Sequence, residues 1–125
     1  MFNHDLTDGY VLLRLTVGLF LLPHAYGKVR YREGVDGFFT AAGLRPTAPF
    51  IIFGLIFEVV AGLLLVLGVS PLITQVTAAL TAMFMAVAAV ANHRVCQGKW
   101  LWNMGGSEYP VFWGICAAIV ALNPT

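Results

Sequence analysis

The sequence predicts an all-α fold: an integral-membrane four-helix bundle, up-down-up-down, with a short interfacial helix in its first loop. Three observations carry this. The chain of 125 residues is 59% hydrophobic and only 10% charged, whereas a soluble domain is about 25% charged. Its mean hydropathy is +0.83. Four segments approach the roughly 20 apolar residues that a helix needs to cross a bilayer. A single transmembrane domain, residues 1–125, accounts for this length. A formal net charge of +1 argues against a nucleic-acid partner.

The first span covers residues 9–27 and contains Arg14 and His24. The segment before it has no Lys or Arg, so it lacks a signal peptide's basic region and is expected to be a retained span. The second span, residues 48–69, is uncharged except for Glu58; the third, residues 71–91, has no charge. The fourth, residues 107–123, is short and is accommodated by local thinning or oblique packing. Within lipid each must be helical, because its backbone groups find no water. Ser70-Pro71 is a tight turn with proline at a helix start. Ser107 is the expected cap of the fourth helix, and Pro110 falls in its first turn. In the long loop of residues 28–47, Val35, Phe38, Phe39 and Ala42 follow helical spacing, and Gly43 ends that turn. This segment is read as a helix lying on the membrane surface.

Lys28, Arg30, Arg32 and Arg45 follow the first span, and Arg94 and Lys99 follow the third. The other connections and both tails hold no Lys or Arg. The positive-inside rule therefore puts both termini outside the cytoplasm. Tyr26, Tyr31, Trp100, Trp102 and Tyr109 form the expected aromatic belt at the cytoplasmic boundary. Cys96 and Cys116 differ too much in depth to form a disulfide and are expected to be free.

Glu58 is the most informative residue. An intramembrane carboxylate is costly unless paired, protonated or turned inward. Helical rise, counted from the cytoplasmic ends, puts Arg14 and Glu58 within about 6 Å in depth. Arg14–Glu58 is therefore the expected buried ion pair. Gly54 and Gly62 flank Glu58 on one face and allow a close helix approach. The ends of spans one and three and the start of span four share one level. This gathers His24, Lys28, His93 and Glu108 as candidates for ligand binding and proton transfer. No catalytic residue is assigned. No metal motif, dinucleotide glycine pattern or iron–sulfur cysteine set is present, so no intrinsic cofactor is expected.

Leu13-Arg14-Leu15, Gly18, His24 and Lys28 form one pattern. The run from Phe57-Glu58 through Gly62 to Gly68 forms a second. Asn92-His93 and Gly106-Ser107-Glu108-Tyr109 complete the set. Together they resemble the DoxX family of small four-helix membrane proteins, related to the DoxD branch of thiosulfate:quinone oxidoreductase. Ala25 after His24, and Pro23 before it, depart from the usual pattern. The resemblance implies a membrane subunit of an oxidoreductase system in the cell inner membrane, with a quinone link, binding the headgroup near the cytoplasmic interface. Electrons would come from a soluble or membrane oxidoreductase partner. The alternative is a non-catalytic anchor or assembly protein for a soluble partner. Two weaker readings are haem held by His24 and His93, and a transporter unit dimerising around Glu58. The expected surroundings are the lipid bilayer and, in some readings, a second copy of the chain.

Overall fold

The computed structural model describes residues 2–96 and 108–125. These residues form five helices: α1 Gly9–Arg30, α2 Arg32–Ala41, α3 Thr47–Leu67, α4 Pro71–Val95 and α5 Glu108–Leu122. Among the described residues there is no strand. The Ser107 cap and the belt residues Trp100 and Trp102, with Lys99, lie outside the described residues.

Local chemistry sets the helix ends. The Asp8 carboxylate accepts from the Tyr10 amide and caps α1. Just before it, the Thr7 hydroxyl and amide both donate to Asp5 and hold that carboxyl below the usual carboxylate range. Gly43, at φ +84°, follows α2 in the left-handed conformation that closes a helix. Thr47 donates to the Asp36 carboxylate and ties α2 to the start of α3. Gly68, at φ +62°, closes α3. The Ser70 hydroxyl then accepts from the Ile73 amide at 3.2 Å, with Pro71 opening α4 as the sequence predicts. The expected short helix in the first loop is α2.

Three helices, α1, α3 and α4, are long and apolar enough to cross a membrane. Only about a third of each apolar stretch is buried inside the protein. The rest, including Leu19, Phe53, Ile56, Val60, Leu72, Met83 and Val87, faces outward. That much contiguous apolar surface suits lipid and not water. α5 has fifteen residues, a rise of about 22 Å, shorter than the roughly 30 Å hydrocarbon core.

α1 packs closely on α3, and α4 on α5; α3 touches α4, and α1 touches α5, far more lightly. Glycine makes the α1–α3 approach close. A methyl on Gly18 would stand 2.9 Å from the Gly62 carbonyl oxygen, and one on Gly62 would stand 3.0 Å from the Gly18 carbonyl oxygen. The core comprises Val17, Leu21, Ala61, Leu65, Ala78, Met85, Cys116, Ala117 and Val120. Cys96 and Cys116 are free thiols, as expected.

Candidate functional site

Glu58 is 1% exposed. Its partner is Lys28: the ammonium donates to Oε1, in the one salt bridge among the described residues. The expected Arg14–Glu58 pair is not formed, and the α1–α3 register explains why. With Gly18 opposite Gly62 in an antiparallel pair, Glu58 is level with Leu22. Arg14 is then about 12 Å away along the axis and Lys28 about 9 Å. Side chains lean toward the N-terminus of their own helix. In antiparallel helices Lys28 and Glu58 therefore lean toward each other, whereas Arg14 leans away. The sequence alone sets the end of span one level with the start of span two, and the register carries it about five residues deeper. Gly54 supplies the slot: a methyl there would stand 3.1 Å from Lys28 Cε.

Arg14 is fully buried at the other end of the pair. Its guanidinium donates to the Thr125 carbonyl at 3.1 Å, the Thr125 hydroxyl at 3.2 Å and the Asn3 carbonyl. It lies over Gly68, at the C-terminal end of α3, where a helix dipole favours a cation. Arg14 thus fastens the two tails to the end of α3.

A cavity of about 1150 Å³ opens beside the Lys28–Glu58 pair. α2 covers it with Val35, Phe38 and Phe39, and α3 and α4 wall it with Phe53, Phe57, Met83 and Phe84. Phe57 and Phe84 stack with centroids 4.6 Å apart. The light α3–α4 contact leaves this volume between them. Phe53, Met83 and Val87 line it and are also 65% exposed, so it opens sideways toward the bilayer.

The structure divides the candidate residues. His24, Lys28 and Glu58 line the cavity, with Asn92, Tyr31 and Tyr109. His24 lies one helical turn before Lys28, half-buried, its ring 5.6 Å from that of Tyr109. Its Nδ1 is 2.7 Å from the Phe20 carbonyl oxygen. A carbonyl only accepts, so Nδ1 carries the hydrogen. α1 continues through Pro23. His93 is exposed at the end of α4 and is not in the cavity wall; Glu108 is buried at the start of α5 and is also not in the wall. Arg94, next to His93, donates to the Ala42 carbonyl at the end of α2 at 3.4 Å.

The sequence alone sets Glu58 apart from the ligand candidates and gives Phe57 and Phe84 no role in the site. Phe57 adjoins Glu58, and that adjacency was the available signal. Among the described residues, no group of three His, Cys, Asp or Glu side chains is close enough to hold a metal ion.

A family model for DoxX matches residues 9–94. The chain belongs to the DoxX family. The match spans α1 to α4 and includes Arg14, Gly18, His24, Lys28, Glu58 and His93. Glu108 and Tyr109 lie beyond it. None of the curated proteins or solved structures compared with the chain matches significantly. This DoxX protein therefore has a membrane family, an intramembrane ion pair and a cavity beside that pair.

Proposed function

We propose that this DoxX protein is the membrane subunit of an oxidoreductase system and binds a quinone-type ligand in the cavity beside Lys28 and Glu58. One observation carries the reading: a cavity with aromatic walls that opens toward lipid and holds an ion pair and a histidine on its inner wall. Ligand sites are mostly apolar, with a few placed polar groups. A lipophilic ring with a polar head matches that division. His24 and Lys28 are placed to hydrogen-bond the head and to exchange protons with it. The electrons come from a partner oxidoreductase.

In this reading α5 is a fourth, short span and the bundle runs up-down-up-down. The basic residues around α2 face the cytoplasm, and the membrane is the cell inner membrane. The anchor alternative draws on exposed Arg30, Arg32, Arg45 and Arg94 around α2, a surface suited to an acidic soluble partner.

Photoaffinity labelling separates the two. A benzoquinone with a decyl tail and an azide is irradiated with the protein in nanodiscs, and the adducts are mapped by mass spectrometry. The expected adducts fall on α2, Phe53, Phe57, Met83 and Phe84, and unlabelled analogue competes them away. Adducts spread over outward residues such as Ile56 and Leu63, without competition, overturn the ligand reading and leave the anchor reading.

A further inference from the structure

We infer that the rim of the cavity beside α2 seats an anionic phospholipid, its phosphate held by Arg45 and Arg94 and one acyl chain entering between α3 and α4. This concerns the outer mouth of the cavity and does not rest on the quinone reading of its inner wall.

The mouth is the gap between α3 and α4, and an arginine stands at the α2 end of each helix. Arg45 lies two residues before α3 begins, and Arg94 is in the last turn of α4. Both are exposed. Arg94 reaches from α4 to the end of α2, where its guanidinium donates to the Ala42 carbonyl at 3.4 Å. That bond steadies the group and leaves the rest of its planar fork for an anion. Guanidinium suits phosphate, which it grips with two parallel hydrogen bonds. Asp36 approaches this end and takes the Thr47 hydroxyl, and two guanidiniums outweigh it. Around α2 as a whole, Arg30, Arg32, Arg45 and Arg94 stand against Glu33 and Asp36, an excess of two positive charges. That excess favours a headgroup of net negative charge over one that carries its own ammonium.

Below the arginines the mouth is apolar. Phe53 on α3, with Met83 and Val87 on α4, lines the cavity and is exposed to the bilayer side, and Leu44, next to Arg45, lines it too. Val87 is seven residues before Arg94, about 10 Å along α4, so the slot begins where a chain leaves its headgroup. A basic rim over an apolar slot matches the two parts of one phospholipid, and basic pockets between membrane helices hold acidic headgroups in this way.

The test uses nanodiscs of equal phosphatidylglycerol and phosphatidylcholine. The protein is transferred from them to mild detergent and weighed by native mass spectrometry. One phosphatidylglycerol per chain is expected to stay bound, about tenfold or more over phosphatidylcholine, since each basic residue beside an anionic headgroup is worth about fivefold. In Arg45→Gln/Arg94→Gln the preference is expected to fall to within about threefold. Arg30→Gln/Arg32→Gln removes the same charge away from the gap and is expected to keep it. Equal loss in the two double variants shows only a basic surface and overturns the site. Equal retention of both lipids, or of neither, overturns the inference and leaves the arginines to an acidic soluble partner. Millimolar inorganic phosphate is expected not to displace the lipid; displacement marks a free-anion site and overturns the lipid assignment. If a variant does not fold, the wild-type comparison and the phosphate challenge decide.

Discussion

Lys28 crosses from the far end of α1 to reach Glu58 midway along α3, and the slot it uses is the missing side chain of Gly54. The pair is enclosed, so each member depends on the other. Lys28→Met is expected to destabilise the protein by about 3–5 kcal/mol, the usual cost of leaving one buried charge without its partner. The double variant Lys28→Met/Glu58→Met should recover most of that loss. Thermal unfolding in detergent measures both. A Lys28→Met protein as stable as wild type would contradict the pairing.

The glycines of the α1–α3 seam should respond unequally. Alanine at Gly18 or Gly62 brings a methyl within about 3 Å of backbone carbonyl oxygen across the seam. Backbone cannot step aside, so each change should cost about 1–3 kcal/mol. Alanine at Gly54 meets the flexible Lys28 chain instead and should cost less than either. Equal losses at all three positions would show that seam spacing is not set by Gly18 and Gly62.

Gly68→Ala combines two penalties. The residue has φ +62°, and a methyl would stand 2.5 Å from Arg14 Nη1. The backbone conformation alone costs a non-glycine residue about 1–2 kcal/mol, and the guanidinium must also move. Hydrogen exchange should quicken at the end of α3 and in residues 2–8, because Arg14 fastens that tail. Unchanged exchange in the tail would mean that Arg14 does not hold it.

Arg14→Met tests the same fastening from the other side. It removes the donors to Asn3 and Thr125 and leaves Lys28–Glu58 intact. The tail should be cut faster by protease, and the effect should add to that of Lys28→Met, as it does for separated sites. Strong coupling between the two variants would restore the Arg14–Glu58 pairing that the structure does not have.

The proposed orientation puts both termini outside the cytoplasm. A C-terminal alkaline phosphatase fusion should then be active, and a C-terminal fluorescent reporter that folds only in the cytoplasm should stay dark. The reverse result refutes the orientation.

Much of the fold was legible because it rests on local chemistry. Apolar composition without water-compatible faces demands a bilayer. Ser70-Pro71 and Gly43 mark helix ends through capping and backbone preference, which need no knowledge of neighbours. Glu58 announced its need for a partner, because an unpaired charge at that depth is costly anywhere. The identity of the partner was decided only by the tertiary structure. Coulomb attraction alone favours Arg14 and Lys28 alike. The choice fell to the register set by Gly18 against Gly62 and to the opposed lean of side chains in antiparallel helices. The cavity was likewise invisible in the sequence. It exists because α3 and α4, joined by a short turn, pack mainly on other helices. That separation puts His24, Lys28 and Glu58 on one wall and leaves His93 and Glu108 out of it.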